Sequence, residues 1–268
     1  MMGSLVGSWA GCAPAVGRYL LAGLLLGGFT APLSARPLAE VKLLGEISVC
    51  ANPNALPFAA DNEQTPGFQI EIARALAKRL GVRLKIDWIV PRMRANTVDC
   101  DFLMDTILRP GVQPPSIKTT VPYSASGVSL AFARGAPTVP NYKSLRDGMR
   151  VGVLMNSLAS LIISKTGAAM VPFGFEDDLA QGVASGDVVA GALSPATIGY
   201  YNLKHPDQPL TLVHAEDDEA ELRWSVAVGL RRADDAMLAA MNEAVSSLLA
   251  DGTITGIYAR YGIEHRRP

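Results

Sequence analysis

The chain has 268 residues, of which 49% are hydrophobic and 18% charged, enough apolar material for one or two globular domains and too much for a disordered chain. The 24 Lys and Arg residues are balanced by 25 Asp and Glu residues, which gives a net charge of −1. Neither this balance nor any long basic run provides the positive surface that nucleic-acid binding needs, so we expect no nucleic-acid partner.

Residues 1–35 have the order of a secretory signal peptide. Arg18 precedes an apolar stretch of roughly 15 residues, which is followed by Pro32 and by small residues up to Ala35. The stretch is shorter than the ~20 residues that a helix needs to cross a bilayer, although a membrane anchor is the alternative. We predict cleavage near Ala35, a periplasmic mature protein, and no stable membrane insertion afterwards. Arg18 is the only charged residue of this segment, so the mature chain would keep 23 basic and 25 acidic residues, a net charge of −2.

Two cysteines remain once Cys12 has been removed with the signal peptide. Cys50 and Cys100 form an even pair in an oxidising compartment, where disulfides persist. A redox pair of the CxxC kind would need a much shorter spacing. We therefore predict a structural disulfide between them.

The first predicted unit has the order β-α-β-β. Residues 46–51 read as a strand that ends in an Asn-Pro-Asn loop. Helical spacing of apolar residues follows Gly67 and stops at Gly81, where a C-terminal cap belongs. Residues 82–88 alternate with period two, and residues 102–104 form a shorter apolar strand.

The second predicted unit repeats the alternation of strand and helix. Ser157 is predicted to cap a helix that ends at Gly167, and three acidic residues open the next helix at its positive end. The strands are predicted over 149–154, 169–171 and 188–192, and the second helix over 175–184.

Two apolar segments connect the units. Residues 127–133 lead out of the first unit and residues 222–228 lead back, while the last 35 residues have helical periodicity and should pack on the first unit. We predict an α/β fold of two lobes joined by a two-segment hinge, with a largely parallel sheet in each lobe and a ligand cleft between them. The predicted segments are a signal peptide at 1–35, the first part of lobe 1 at 36–127, lobe 2 at 128–220, and the return to lobe 1 at 221–268.

The sequence resembles the type 2 periplasmic solute-binding proteins, family 3, over nearly all of residues 45–263. The bilobed fold is that of this family. The motifs that carry the resemblance include Val49-Cys50-Ala51-Asn52-Pro53, Leu56-Pro57-Phe58, Gly67-Phe68, Asp99-Cys100-Asp101, Pro122-Tyr123, Val151-Gly152-Val153, Ser185-Gly186-Asp187 and Leu249-Ala250-Asp251-Gly252-Thr253-Ile254.

A narrower resemblance rests on the first strand-loop through Phe58 together with Cys100-Asp101. These residues are similar to the subgroup encoded beside quinoprotein alcohol dehydrogenases, which includes the J-type accessory protein of methanol oxidation. That likeness implies a role in assisting a periplasmic pyrroloquinoline-quinone dehydrogenase rather than in feeding a transporter.

Two departures from the amino-acid-binding members bear on the ligand. Those members use an Arg to hold the ligand carboxylate and an Asp to hold its ammonium, and a gapless comparison places Gln113 and Leu193 there. An unpaired zwitterion in a closed cleft would cost several kcal/mol. We therefore expect the ligand not to be a free amino acid.

Candidate ligand contacts follow the predicted strands or precede the hinge. Most have a structural alternative: turn chemistry for Asn52 and Asn54, core packing for Phe58, capping for Asp105 and Ser157, and hinge packing for Tyr123 and Ser126. Trp88 is a weaker candidate for an aromatic wall. The candidates are Asn52, Asn54, Phe58, Asp105, Thr106, Tyr123, Ser126, Asn156, Ser157 and Ser194.

Arg92 and Arg94 lie in a polar connection, where they are either solvated or contact a protein partner. The three histidines share no ligand spacing and no nucleotide-binding motif occurs, so we predict neither a metal nor another cofactor.

Three functions are compatible with these patterns. The first is a non-enzymatic periplasmic binding protein that is accessory to a quinoprotein alcohol dehydrogenase. The second is a receptor that delivers a small non-amino-acid ligand to an ABC permease. The third is an enzyme similar to cyclohexadienyl dehydratases, whose chemistry needs a placed acid or base and a cationic carboxylate clamp.

Overall fold

The computed structural model describes residues 36–90, 98–109 and 117–268. The predicted signal peptide over 1–35, the predicted partner contacts Arg92 and Arg94, and Gln113 lie outside the described residues. Within those ranges, no helix combines the length and the apolar character that crossing a membrane would take.

Thirteen strands and seven α-helices occur in the part of the chain that the structure describes. The strands are β1 (Glu46–Ala51), β2 (Asn54–Ala55), β3 (Ala59–Ala60), β4 (Arg83–Trp88), β5 (Phe102–Leu108), β6 (Ile117–Thr119), β7 (Ser124–Gly127), β8 (Ser129–Ala133), β9 (Arg150–Leu154), β10 (Ala169–Phe173), β11 (Ala190–Leu193), β12 (Leu210–Val213) and β13 (Arg223–Arg231). The helices are α1 (Leu38–Leu44), α2 (Phe68–Arg79), α3 (Leu158–Ile163), α4 (Glu176–Ser185), α5 (Pro195–Lys204), α6 (Asp235–Ala250) and α7 (Thr253–Arg260).

Lobe 1 is built on a six-stranded sheet in the order β4-β1-β5-β13-β6, with β7 also paired to β13. Helices α2, α6 and α7 pack together beside this sheet and share one hydrophobic core with it. Met237, Met241 and Val245 of α6 are buried in that core with Ile47 of β1. The C-terminal helices thus pack on the sheet of lobe 1.

Lobe 2 is built on a five-stranded sheet in the order β10-β9-β11-β8-β12. Helix α4 contacts all five of its strands, and α5 packs beside α4. The side chains of Leu179, Val183 and Ile198 form one of the two hydrophobic clusters that cover the sheet.

The hinge consists of two antiparallel segments that run side by side. β7 pairs with β13 from Ser124↔Val226 to Gly127↔Arg223, and the Val128 N–H donates to the Leu222 carbonyl at 3.0 Å. β8 then enters the second sheet while β13 continues into the first. The predicted α/β fold of two lobes joined by a two-segment hinge is confirmed, whereas the exact segment boundaries stay a prediction.

The prediction of largely parallel sheets is wrong, because each sheet is mixed. In lobe 1, β1 is parallel to β4 and β5, but β13 is antiparallel to β5, β6 and β7. In lobe 2, β9 is parallel to β10 and β11, but β8 is antiparallel to β11 and β12. The hinge strands cause this difference, since each crosses between lobes and enters its sheet in the opposite direction to the βαβ units.

Two element boundaries also differ from prediction. β5 continues to Leu108, so Asp105 and Thr106 lie within the strand rather than after it. Helix α3 ends at Ile163 instead of Gly167, and Gly167 occupies a later turn with a φ of 83°. Hydroxyls of Ser164 and Thr166 bond to carbonyls three residues back, which favours turns over further helix here.

Candidate functional site

A cleft of about 590 Å³ lies between the lobes, beside the hinge. This volume falls in the range of small-molecule sites. Its walls come from the carboxyl end of β1, from β5, from the hinge strands β7 and β13, and from the starts of α2, α4 and α5. The polar and aromatic lining residues are Asn52, Phe58, Gln69, Asp105, Ser126, Glu176, Ser194 and Trp224, and the aliphatic ones include Ile70, Ile89, Leu103, Met104, Ile107 and Val226.

Asp105 brings an acid to the lobe 1 wall. Its side chain is exposed to the cleft and has no hydrogen-bond or ion-pair partner within the described ranges. Thr106 points to the opposite face of β5, because successive residues of a strand alternate. A Cβ on Gly229 of the neighbouring strand would collide with the Thr106 hydroxyl. The Thr106 side chain therefore packs over Gly229 and does not line the cleft.

Glu176 forms the polar centre of the lobe 2 wall. Its carboxylate accepts hydrogen bonds from the Ser194 N–H at 3.2 Å and the Ser194 hydroxyl at 2.8 Å, and from the Thr197 hydroxyl. Ser194 is the N-cap of α5, and its Oγ also accepts from the Thr197 N–H at 3.1 Å. The positive end of α5 is therefore occupied by a carboxylate of the chain itself.

Two aromatic rings contribute to the apolar surface of the cleft. Phe58 is half-buried and packs on Phe68 with ring centroids 5.3 Å apart. Trp224 of β13 pairs in register with Ser126, and the guanidinium of Arg109 lies 5.4 Å from its ring centroid. Arg109 holds the indole by a cation–π contact and is not itself a lining residue.

The predicted disulfide is confirmed and adjoins the cleft. Cys50 of β1 and Cys100 are bonded with their Cα atoms 5.6 Å apart, and Cys50 is a lining residue. Asp101, next to Cys100, accepts from the Ser48 N–H at 2.7 Å and pairs with Arg36 at 3.1 Å. Burial raises the pKa of Asp101, while Ser48 and Arg36 oppose that shift.

Five of the ten sequence-predicted ligand residues line the cleft: Asn52, Phe58, Asp105, Ser126 and Ser194. Asn52, Phe58 and Ser126 also have the structural role that was the alternative, since Phe58 packs against the lobe 1 core and Ser126 lies in the hinge strand β7. The Asn52 side chain accepts from the Asn54 N–H at 2.9 Å, which is turn chemistry, and Ser194 caps α5.

The other five lie away from the cleft. Asn54 is exposed in a short hairpin, and Thr106 faces the sheet. Tyr123 is fully buried, its hydroxyl donates to the Met104 carbonyl, and burial raises its pKa well above the usual range. Ser157 caps α3 by accepting from the Ser160 N–H at 3.2 Å, and Asn156 forms the preceding turn with a φ of 58°.

Sequence reasoning missed three polar or aromatic lining residues. Glu176 was read only as one of three acids at a helix start, yet its place directly after β10 puts it at the carboxyl edge of the lobe 2 sheet. Trp224 was read only as part of the returning segment, and its pairing with Ser126 could not be known. Gln69 follows the start of α2, and no local pattern distinguished it. Trp88, the weaker aromatic candidate, packs against the lobe 1 core instead.

No group of three or more His, Cys, Asp or Glu side chains is arranged to hold a metal ion in the described ranges 36–90, 98–109 and 117–268.

Two α/β lobes, two crossing segments and a cleft beside the hinge define a bilobed binding protein. The chain belongs to the bacterial extracellular solute-binding proteins, family 3, whose model matches residues 47–264.

Among curated proteins, the chain is similar to the histidine-binding periplasmic protein of Escherichia coli (strain K12), with 24% identity over 229 residues that cover 80% of this chain and 86% of the relative. It is 25% identical over 251 residues to the lysine/arginine/ornithine-binding periplasmic protein of the same organism, covering 89% and 94%.

Solved structures share the fold. An ancestral cationic amino acid solute-binding protein, AncCDT-1, has a TM-score of 0.71 at 21% identity, covering 84% of this chain and 99% of that one. The periplasmic binding protein XoxJ from Methylobacterium extorquens AM1 has a TM-score of 0.66 at 18% identity, covering 83% and 100%.

Proposed function

We propose that this protein is a non-enzymatic binding protein of the periplasm and an accessory to a pyrroloquinoline-quinone alcohol dehydrogenase. The observation that carries the proposal is the charge of the cleft. Its ionisable lining residues within the described ranges are Asp105 and Glu176, both acids. A cleft that keeps the family's scaffold but presents acids without a cationic clamp is poorly suited to a free amino acid.

Absence of catalysis is part of this proposal. A dehydratase of this fold would need a free acid or base opposite a cation that holds the substrate carboxylate. Glu176 is engaged by Ser194 and Thr197, and Asp105 has no cation opposite it among the described lining residues. The curated relatives described above are named as binding proteins, which also supports binding rather than catalysis.

The accessory role is supported by the loop that follows β1. The residues that carry the resemblance to the dehydrogenase-associated subgroup run from Val49 to Phe58, and their first part is bonded to Cys100. This segment forms one wall of the cleft. XoxJ shares the fold at 18% identity, which is compatible with the proposal. The relatives named as periplasmic, together with the signal-like residues 1–35, support export to the periplasm.

A deletion strain and a co-purification test the accessory role together. We expect deletion to lower quinoprotein-dependent alcohol oxidation, and the tagged protein to recover a quinoprotein dehydrogenase from periplasm. Restoring the intact gene should restore oxidation. Normal oxidation without the protein, with no dehydrogenase recovered, would contradict the proposal.

Arg92 and Arg94 remain the proposed partner contacts. A transient interface is modest in area and partly polar, and exposed charges contribute little to stability. Replacing both with Ala should weaken dehydrogenase recovery while leaving the thermal midpoint nearly unchanged. The matched control replaces Arg146 and Arg150, two exposed arginines of lobe 2, with Ala.

The second candidate is a receptor that delivers a small non-amino-acid ligand to an ABC permease. The size of the cleft favours it, because about 590 Å³ can accommodate a small ligand. Normal alcohol oxidation in the deletion strain, with loss of uptake of a ligand that binds the purified protein, would establish this function instead.

A further inference from the structure

The cleft has a charge pattern that selects its ligand. Asp105 presents a carboxylate with no hydrogen-bond or ion-pair partner within the described ranges, on a wall otherwise formed by Leu103, Met104 and Ile107. An unpaired carboxylate beside an apolar surface favours a ligand that combines a positively charged group with an apolar group. A second carboxylate, that of Glu176, lines the facing lobe.

Helix N-termini are the usual backbone sites for anions, and those of α2 and α5 at the cleft are already satisfied, whereas α4 begins without a side-chain cap but carries three acidic residues in its first turn. The first N–H groups of α2 donate to chain carbonyls, Phe68 to Pro57 at 2.9 Å and Gln69 to Phe58 at 3.0 Å. The start of α5 is occupied by the Glu176 carboxylate. An anionic ligand would therefore meet two carboxylates, no free helix end at α2 or α5, and an acidic first turn at α4.

Two cations of the described ranges lie near the cleft without lining it. Arg266 lines a smaller pocket that shares Phe58 and Ser126 with the cleft, but it is paired with Glu216 and Asp217. Arg109 lies over the ring of Trp224 and is not a lining residue. Residues 110–116 contain no charged side chain in the sequence, whereas Arg92 and Arg94 precede the second strand of the cleft wall. Arg109, Arg92 and Arg94 are thus the arginines that a test must address.

We propose that the cleft binds an organic amine: a singly charged cation with an apolar body and no carboxylate, its ammonium paired with Asp105 and its apolar body against Phe58 and Trp224. This inference rests on the proposed function only in treating the chain as a binding protein. It adds the ligand class, which the dehydrogenase experiment does not measure.

Calorimetry on the mature full-length chain tests the inference with three ligands that share a phenyl group. 2-Phenylethylamine carries only the ammonium, L-phenylalanine carries both charges, and 3-phenylpropionate carries only the carboxylate. Methylamine and butylamine extend the amine series to smaller apolar bodies. We expect at least one amine to bind ten-fold or more tightly than L-phenylalanine, and 3-phenylpropionate not to bind.

Asp105→Asn should weaken amine binding ten-fold or more. Asp105 is exposed, so the variant should fold, which circular dichroism and the thermal midpoint check directly. Asp207→Asn removes an exposed acid in a lobe 2 turn and should leave the affinity unchanged.

Three results would overturn the inference: no amine binding at millimolar concentration, amine binding that is unaffected by Asp105→Asn, or tighter binding of a carboxylate-bearing ligand. If a carboxylate-bearing ligand binds more tightly, its binding should then be measured in Arg109→Gln and in Arg92→Ala/Arg94→Ala. A loss of affinity in either variant would identify the arginine that holds the carboxylate. Amine binding in a protein whose deletion leaves alcohol oxidation normal would support the ligand class and contradict the accessory role.

Discussion

Three groups of the chain surround the ring of His265: the Tyr123 carbonyl, the Thr255 hydroxyl and the ring of Tyr258. Its Nε2 lies 2.8 Å from the Tyr123 carbonyl and therefore carries the proton, while its Nδ1 lies 2.8 Å from the Thr255 hydroxyl. The ring packs 4.7 Å from that of Tyr258. Burial lowers the pKa of His265, and the charge of Arg267 adds to that shift, while the bond to Tyr123 opposes it.

This shift predicts a pH dependence of stability. A histidine whose pKa is lowered on folding contributes stability that is complete above its unfolded value of about 6.5 and is lost as the pH falls below that value. The thermal midpoint should therefore decrease from pH 7 to pH 5, and His265→Gln should show a smaller decrease. His205→Gln removes an exposed histidine and is the control. An unchanged slope in His265→Gln would contradict the assignment.

The disulfide predicts a loss of stability on reduction. It closes a loop with a sequence separation of 50, for which the chain-entropy model gives about 4 kcal/mol, an upper value where strain intervenes. We expect thiol titration of the denatured exported protein to find no free thiol. Cys50→Ser/Cys100→Ser should unfold at lower denaturant concentration, and reducing agent should shift the wild type alone. Two free thiols in the exported protein would disprove the bond.

At the scale of single residues, the sequence was sufficient to predict a role that depends on neighbours along the chain. The cap by Ser157 was predictable in this way. The role of Glu176 was not, because its partners Ser194 and Thr197 lie 18 and 21 residues away. Thr106 was expected to follow the strand and reach the cleft. It lies within β5 instead, where its side chain is on the face opposite to that of Asp105.

At the scale of secondary-structure elements, Gly127 allows the two hinge segments to approach each other closely. A Cβ at this position would collide with the Leu222 carbonyl and lie 2.7 Å from Cγ of Glu216. Gly127→Ala should therefore lower the free energy of unfolding by about 1–3 kcal/mol, as overpacking does. Gly174→Ala is the matched control, since a Cβ there would have no atom within 4 Å. Equal thermal midpoints for the two variants would contradict this account.

The C-terminal tail, residues 262–268, ties the hinge to lobe 2 through a buried acid. Glu216 is 1% exposed and accepts from Ser129 at 2.7 Å, while Arg266 approaches it at 3.2 Å. The other guanidinium nitrogen of Arg266 contacts both carboxylate oxygens of Asp217 at 2.9 and 3.0 Å. The Arg266 carbonyl accepts from the Ala125 N–H of β7.

Arg266→Ala should lower the free energy of unfolding by about 2 kcal/mol, because a buried carboxylate loses a charged donor while Ser129 still bonds to it. Arg267→Ala is the neighbouring control, since Arg267 is exposed and its side-chain hydrogen bond within the described ranges is to the Leu249 carbonyl, away from Glu216. Chemical denaturation of both variants measures the difference. A smaller loss for Arg266→Ala than for Arg267→Ala would show that the tail does not stabilise this junction.

Elements were predictable where apolar periodicity and end signals agree, as in α2 between Gly67 and Gly81. Helix α5 was not predicted, although Ser194 and Pro195 are typical of a helix start. The direction of the hinge strands within each sheet could not be read from local pattern, since it depends on how the chain crosses between lobes.

For the whole molecule, the acidic cleft predicts that free amino acids bind poorly. Binding of each of the twenty common amino acids should be undetectable or weaker than millimolar, which corresponds to less than about 4 kcal/mol. Calorimetry on ligand-free protein, refolded to remove carried-over ligand, measures this. Micromolar binding by any of them would show that a carboxylate clamp exists after all.

The path of the chain through the two sheets has a consequence for the order in which the lobes can fold. All five strands of the lobe 2 sheet lie between Ser129 and Val213, so that lobe is complete when this stretch has been made. Lobe 1 lacks β13, which lies between β5 and β6, until the chain has passed Arg231.

During synthesis, lobe 1 therefore begins before lobe 2 and is completed after it. The lobe 1 sheet is incomplete while lobe 2 folds, because it then contains β1, β4 and β5 but not β13. Its edge at β5 is unpaired during this time. Exposed edges of this kind promote aggregation, so we expect lobe 1 to need protection from association until β13 has been synthesised.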